Sequence, residues 1–445
     1  RNKLMEISLL TLMSSSVFAG GYRISMQGQR QLAMGHTGVA VIGQNAESIF
    51  FNPANGTFLK NKWSFSAGVT ALTSDVKFQN KTYNWKNETS NTGTPVYFYG
   101  NYQVNDRFSV GLAIYTPYGS AVEWDQDWQG SHLVNNIDLK SYFIQPTFSY
   151  KITDEVSLGV GLIYVNGGVK FNRNLTRNMT DDSGMNRSDV TVDAQGVHSF
   201  GYNLGLTAKL DDYVTFGVNY RSQIDMKAKG GNATFHDMPT FAQSTYKDGK
   251  FDATMPLPAE LTVGFSYQIN KQWLAAIDYN YTFWSAYESL VIEFENPNIP
   301  TSVNPRNYKN SSTIRAGVQY APTEKFSARI GGYYDVSPVQ DGYFAPETPR
   351  NDALAGTLGF TYNVTPRLGV DFSATVLHFK ETDNSYDYFM EDGNPVSFGG
   401  TYRSGAYSLG LGIPFFISAL LIDKLKSTFT FIKKHYKVIN TCCGA

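Results

Sequence analysis

Apolar and polar side chains alternate along this chain with a period of two, from about residue 62 to residue 413. In Leu261, Val263, Phe265, Tyr267 and Ile269 one parity is apolar, while Thr262, Gly264, Ser266 and Gln268 between them are small or polar. The same dyad runs through Val214, Phe216, Val218 and Tyr220 against Thr215, Gly217 and Asn219, and through Val156, Leu158, Val160 and Leu162 against Ser157, Gly159 and Gly161. Successive side chains of a strand face opposite ways, so each segment offers one apolar face. On this pattern strands fall near 62–79, 94–104, 107–116, 139–151, 155–171, 196–210, 213–229, 255–270, 272–295, 306–321, 325–337, 353–364, 367–383 and 399–413.

Alternation alone does not say whether water or lipid lies outside. The connections decide it. Val104-Asn105-Asp106-Arg107, Thr153-Asp154, Asp211-Asp212, Asn270-Lys271, Pro322-Thr323-Glu324 and Thr365-Pro366 are short, whereas 80–93, 117–138, 172–195, 230–254, 296–305, 338–352 and 384–398 are long and polar. Short turns on one side alternating with long loops on the other are the mark of an outer-membrane barrel, with the turns periplasmic. The expected fold is therefore all-β, a transmembrane antiparallel β-barrel of about 14 strands.

Composition agrees. Hydrophobic residues make up only 42%, yet aromatics reach 15%, with 29 Tyr and 30 Phe. No stretch of the mature chain approaches the roughly 20 apolar residues a spanning helix needs, so strands must do the crossing. Tyr97, Tyr99 and Tyr102, and Tyr279, Tyr281, Trp284 and Tyr287, cluster near predicted strand ends, where an interfacial girdle would sit. A formal net charge of −1 leaves no basic stripe for nucleic acid. Arg1 and Lys3 precede an apolar run, Leu4 to Phe18, with small residues before Ala19-Gly20. That fits a secretory signal peptide over 1–19, and together with the barrel it places the chain in the outer membrane of a Gram-negative bacterium. The two cysteines, Cys442 and Cys443, are adjacent in the C-terminal tail and cannot staple a fold from there.

Residues 20–60 lack the dyad and are rich in small residues. Gly21-Tyr22-Arg23-Ile24, then Ala33-Met34-Gly35-His36-Thr37-Gly38-Val39-Ala40, then Ile49-Phe50-Phe51-Asn52-Pro53-Ala54, resemble the N-terminal hatch of the FadL/TodX transporters of long-chain fatty acids and other hydrophobic molecules. Further family-like stretches follow in order: Thr116-Pro117-Tyr118-Gly119 with Glu123-Trp124, Leu257-Pro258-Ala259-Glu260-Leu261, Tyr281-Thr282-Phe283-Trp284-Ser285 and Arg329 to Val339. The resemblance spans roughly 20–413 and implies a hatch over 20–60 plugging a fourteen-stranded barrel over 61–413.

Several residue roles follow from the resemblance. Tyr22 takes the aromatic position beside the ligand pocket, and Arg173 a basic position that would hold a ligand carboxylate. A second basic residue has no clean match, and Arg306 or Lys309 stands in for it. Loops 172–195 and 230–254, with Met179, Phe235, Met238 and Phe241, would form an outer groove, for which adaptable Met suits. Asn52-Pro53-Ala54 is the hallmark of the hatch, and is expected to pack against Pro117-Tyr118-Gly119, an inward kink where the wall opens sideways. Separately from the resemblance, Asp278, Arg315, Arg329 and Asp371 fall on the polar side of their strands and are expected to form lumenal pairs that hold the hatch. The implied partners are a long-chain fatty acid or other hydrophobic small molecule, outer-membrane lipid and lipopolysaccharide, and the barrel assembly machinery, with the protein acting as a monomer.

An enzyme is disfavoured. The six histidines are scattered without zinc spacing, and there is no Gly-x-Ser-x-Gly or phosphate loop, so neither catalytic residues, metal nor cofactor are expected. At the far end, Tyr407, Leu409, Leu411 and Ile413 alternate as a closing strand, Pro414 interrupts, and 414–445 adds a Lys-rich tail that fits a frameshift better than a genuine appendage.

Overall fold

The computed structural model describes residues 21–125 and 128–417. The expected signal peptide and the tail with Cys442 and Cys443 lie outside the described residues.

Fourteen antiparallel strands close on themselves. They are β1 (Trp63–Asn80), β2 (Trp85–Gly93 and Val96–Gln103), β3 (Phe108–Tyr115 and Gly119–Glu123), β4 (Asn136–Lys151), β5 (Val156–Asn174), β6 (Asp189–Lys209) and β7 (Val214–Arg221 and Ile224–His236). The circuit continues with β8 (Gly249–Leu257 and Glu260–Gln268), β9 (Trp273–Thr282 and Ser289–Phe294), β10 (Ser302–Pro305 and Ser311–Tyr320), β11 (Phe326–Asp335), β12 (Ala353–Thr365), β13 (Leu368–Phe379 and Thr382–Glu391) and β14 (Asn394–Ile417). Closure is made by β1 against β14, from Trp63 opposite Ile417 to Gln79 opposite Thr401. Such closure leaves no free edge in lipid.

The dyad reads as expected in the membrane band. Phe265, Tyr267 and Ile269 are exposed to the outside, while Thr262 and Ser266, of the opposite parity, are buried. Higher up, the dyad inverts. In β6, Phe200, Tyr202 and Leu204 point outward, but Val190, Val192 and Ala194, of the same parity, are buried. A register shift opposite Gly167 and Val169, with Gly196 at φ +67°, separates the two stretches. Such a bulge adds one residue and flips every side chain beyond it. A second one lies in β7 between Ala228 and Gly231, with Gly230 at φ +65°. Below the bulges apolar residues face lipid; above them they face the lumen.

This inversion explains where the sequence reading fell short. The loops assigned to 172–195, 230–254 and 384–398 are in good part paired strand, the true connections being 175–188, 237–248 and 392–393. Outside the membrane those strands carry polar residues on the water side, so they resemble loops. Pro414 does not end β14 either. It stays in register with Ser66 of β1, while the ladder toward β13 skips from Asp371–Gly412 to Leu368–Phe415, so its missing N–H is accommodated there. The aromatic girdle also needs correcting. Tyr279 does face out, but Tyr97, Tyr99, Trp284 and Tyr287 are buried inside, Tyr97 and Tyr99 by strand parity and the other two by a turn of 3₁₀ helix, Trp284–Ala286, that breaks β9.

The hatch fills the lumen with α1 (Gln29–Ala33), α2 (Ser48–Phe51) and a 3₁₀ helix over Pro53–Phe58. Asn52-Pro53-Ala54 starts that last helix. The Asn52 side chain accepts from the Ala54 N–H at 3.0 Å, and Pro53 sits at the first position, where its missing N–H costs nothing.

Candidate functional site

Above the hatch, between β4–β9 and the inner ends of the outer loops, lies a cavity. Its wall is apolar: Leu139, Phe171, Val192, Phe251, Met255 and Leu290 are representative. Tyr22 forms part of its floor, ringed by Trp284 (centroids 4.9 Å, edge-on), Tyr287 (5.6 Å) and Tyr118 (6.1 Å). The Tyr22 hydroxyl donates to the Pro256 carbonyl, so its polar tip is satisfied without water.

Polar groups gather at one end. Arg306 and Glu347, both buried, form an ion pair on the cavity wall. A narrower extension shares Phe171, Leu290, Ile292, Arg306 and Glu347 with the main cavity and is closed by Arg173. Arg173 donates to Asn304 Oδ1 at 3.4 Å and Ser302 Oγ at 3.1 Å and lies 5.7 Å from the Phe389 ring centre. It forms no ion pair among the described residues. Two guanidinium groups therefore face one carboxylate. Of the two candidates for the second basic position, Arg306 lines the cavity; Lys309 is exposed and does not.

The outer-loop residues sit apart from it. Met179, Phe235, Met238 and Phe241 line neither chamber. Their two loops do meet: Asp182 accepts from the Thr240 N–H at 3.1 Å, and Ser188 Oγ donates to the Asp237 carbonyl at 2.6 Å. Phe235 packs on Tyr246 and Phe294 at 5.5 and 5.9 Å, whereas Phe241 is 78% exposed.

At Pro117-Tyr118-Gly119 the ladder between β3 and β4 is interrupted. Tyr115 pairs with Phe143 and Gly119 with Lys140, so three residues of β3 oppose two of β4. Beyond the break, the ladder of Gly119–Glu123 runs to β4 alone and that of the facing Trp85–Gly93 segment of β2 to β1 alone, the two segments being joined by the Thr89 hydroxyl, which donates to the Glu123 carbonyl. The outward neighbours of this gap, Phe98, Tyr142 and Ile144, are exposed apolar residues, as lipid contact requires. What packs into the break, however, is not Asn52-Pro53-Ala54. Ile24 N–H donates to the Pro117 carbonyl at 2.6 Å and Gly119 N–H to the Tyr22 carbonyl at 3.0 Å, so the first hatch residues lie along the kink as a strand. Asn52 instead donates to the carbonyls of Val39 and Leu206, both at 2.9 Å, and Pro53 accepts from Ser149 Oγ at 2.6 Å. The reason is its capping role, which turns Asn52-Pro53-Ala54 toward β4–β6.

Of the lumenal charges, Asp371 pairs with Arg30 of α1 at 3.0 Å, and Asp278 accepts from Gly38 and Val39 N–H at 2.8 and 3.1 Å. These two hold the hatch. Arg329 bonds instead within the barrel, to Gln319 and Thr361, and Arg315 has no hydrogen bond or ion pair among the described residues. Arg23 does more than the sequence suggested, spanning Glu260 at 3.3 Å and Asp335 at 3.5 Å across the lumen.

Sequence reasoning missed the aromatic ring around Tyr22 and the cavity walls of β6–β8. The signal was present: apolar Val190, Val192 and Ala194 alternate with Thr191, Asp193 and Gln195 in a stretch taken as loop.

The family model described as "Outer membrane protein transport protein (OMPP1/FadL/TodX)" matches residues 10–415. The chain is 26% identical to the 47 kDa outer membrane protein of Pasteurella multocida, over 91% of this chain and 96% of that one. It is 22% identical to the long-chain fatty acid transport protein of Escherichia coli K12, over 88% and 96%. Among solved structures, a Pseudomonas aeruginosa FadL homologue superposes with a TM-score of 0.78 at 19% identity, covering 89% of this chain and 100% of that one. The Pseudomonas putida toluene transporter TodX does so with 0.66 at 15%, covering 91% and 99%. At these identities the structural likeness speaks for the fold.

Proposed function

Because the chain belongs to the FadL/TodX family of outer membrane transport proteins, we propose that its substrate is a long-chain fatty acid, with its tail in the apolar cavity and its carboxylate on Arg173, released sideways into the outer membrane. The coarser statement stands by itself: it is an outer-membrane transporter of hydrophobic compounds and not an enzyme. The finer one is carried by a single observation: an apolar chamber shares five wall residues with an end where Glu347 is the one carboxylate beside Arg173 and Arg306. A carboxylate there completes the charge balance, and a guanidinium fork matches its two oxygens. The likeness to a long-chain fatty acid transport protein supports the same reading.

The exit follows from the contacts of Tyr22. Its ring lies in the cavity floor while its carbonyl accepts from Gly119 N–H. A tail that displaces the ring pulls on the hydrogen bonds that cover the kink, so filling the cavity loosens the wall beside it. Exposed Met185 and Phe241 on the two joined loops supply a first apolar foothold outside.

A second reading, an uncharged hydrocarbon, is favoured by the Arg306–Glu347 and Lys140–Asp138 pairs, which cancel charge on the cavity wall. One experiment separates the two. Arg173→Ala should weaken binding of a long-chain fatty acid by about 1.5–3 kcal/mol, the worth of a hydrogen bond to a charged group, and leave the fatty alcohol of equal length unchanged. Unchanged binding of both would favour the hydrocarbon; equal loss of both would assign Arg173 to folding or access.

A further inference from the structure

Below Tyr118 lies a second chamber of a different character. It lies between the hatch and β7–β10, and shares Tyr118 with the upper cavity and Pro117 with the kink. Three arginines line it, Arg23, Arg221 and Arg315, against the single carboxylate of Glu260. Glu260 is already taken, by Arg23 at 3.3 Å, Asn280 at 3.2 Å and the Tyr118 hydroxyl at 3.0 Å. Arg221 bonds only neutral oxygens, the Tyr115 hydroxyl and the Phe50 carbonyl. Arg315 is 6% exposed, faces this chamber, and has no hydrogen bond or ion pair among the described residues. Asp278 stands opposite it across the β9–β10 ladder, with Oδ2 turned to the hatch amides and Oδ1 buried without a hydrogen-bond partner, so this one carboxylate sits beside Arg315 without bonding it. Asp335, on the far side, is held by Thr313 at 2.6 Å and by Arg23.

A buried guanidinium without an acceptor is costly, and its charge calls for an anion. We propose that this lower chamber is a second carboxylate site, in which Arg315, flanked by Arg221, takes the head group of an amphiphile that has passed Tyr118 on its way to the gap beside Pro117. The head-group assignment rests on the reading of the substrate as a fatty acid; the anion site does not. Its value to transport is physical. A carboxylate leaving Arg173 has to cross a region walled by aromatic rings, and a second cation at the level of the exit keeps it compensated while the tail moves into lipid.

The test uses the full chain, folded in detergent, with palmitate carrying ¹³C at the carboxyl carbon. Two bound carboxylate resonances are expected in the wild type. Arg173→Ala should remove one and Arg315→Met the other, while Arg315→Lys, which keeps the charge, should retain both. Heat-modifiable migration on gels checks that each variant is folded. Persistence of both resonances in folded Arg315→Met would overturn the lower site. A wild-type spectrum with one bound resonance, lost in Arg173→Ala, would overturn it too and leave the upper site intact. Two wild-type resonances that both survive Arg173→Ala, with one lost in Arg315→Met, would uphold the lower site and sink the role given to Arg173. If acetate displaces the lower resonance at concentrations that spare the upper one, the chamber takes a free small anion and the head-group assignment is wrong.

Discussion

The hatch meets two sides of the barrel in opposite ways. Against β10–β12 it is pressed backbone to backbone: Met34 and Gly35 lie on Gly317 and Gly331, so closely that a Cβ on either strand glycine would collide with hatch main chain. Gly35 itself holds φ +69° and donates to Thr357 at 2.8 Å. The β11–β12 ladder behind runs unbroken from Phe326–Tyr362 to Asp335–Ala353. Against β3 the hatch instead touches a broken wall, and the main-chain contacts are the two hydrogen bonds that join Tyr22 and Ile24 to Pro117 and Gly119. The hatch is also pressed on β5 and β7, at Gly159 and Gly217, so the kinked β3 is where it is held most lightly. That asymmetry is what the proposed lateral path would use.

The largest expected effect comes from attacking the fixed side. Gly331→Val puts a branched side chain where the Gly35 amide and the Met34 carbonyl carbon now sit. Ordinary overpacking costs about 1–3 kcal/mol when flexible neighbours give way; here the neighbours are backbone on both sides. The barrel should fail to assemble around its hatch, read as loss of the heat-modifiable gel band in outer-membrane fractions. A variant that folds and transports normally would show that the hatch does not rest on this wall.

How much of this the sequence disclosed differs between the two sides as well. The strands of the membrane band were legible because lipid outside and small polar residues inside impose a strict dyad, as in Leu261 to Ile269. The kink was legible through Pro117 and Gly119. What covers it was not, since Tyr22 to Ile24 meets the kink through main-chain hydrogen bonds, which leave no side-chain signature. Arg306 could not be chosen over Lys309 from the chain alone, because the choice depends on a non-local contact with Glu347. The upper strands were mistaken for loops because two bulges reverse the parity on which the pattern reading relied.

A smaller and more selective effect should follow from mending the weak side. Pro117→Thr with Gly119→Val restores a ladder donor and strand propensity. A Cβ at residue 119 would also come within 2.9 Å of Ile24 Cδ1, the far end of a flexible side chain, so the hatch can adjust. Uptake of a labelled long-chain fatty acid should fall strongly, while binding to the solubilised protein and heat-modifiable migration stay near normal. Unchanged uptake by the folded double variant would mean that the substrate leaves through the hatch into the periplasm.

The smallest effect concerns the outer cover over that weak side. His132, in the β3–β4 connection, is buried with both ring nitrogens lacking a partner, edge-on to Phe389 at 4.7 Å and Phe398 at 5.4 Å. Burial, with Arg177 and Arg173 nearby and only partly offset by Glu391, pushes its pKa down to about 4 from an ordinary 6.5. Above pH 6.5 the ring is neutral whether this connection is closed or open, and the closed packing keeps its full stability. As the pH falls from 6.5 toward 4 the opened form takes up a proton that the closed form rejects, so closure weakens progressively across that window. Amide exchange of residues 128–135 should therefore speed up between pH 6.5 and 4.5, after correction for the intrinsic pH dependence of exchange. The β11–β12 ladder should not respond. His132→Phe keeps the aromatic packing and removes the titration, so its corrected exchange should be flat with pH. If the dependence persists in His132→Phe, another group controls this cover, and the contrast between a fixed and a yielding side would hold for the hatch alone.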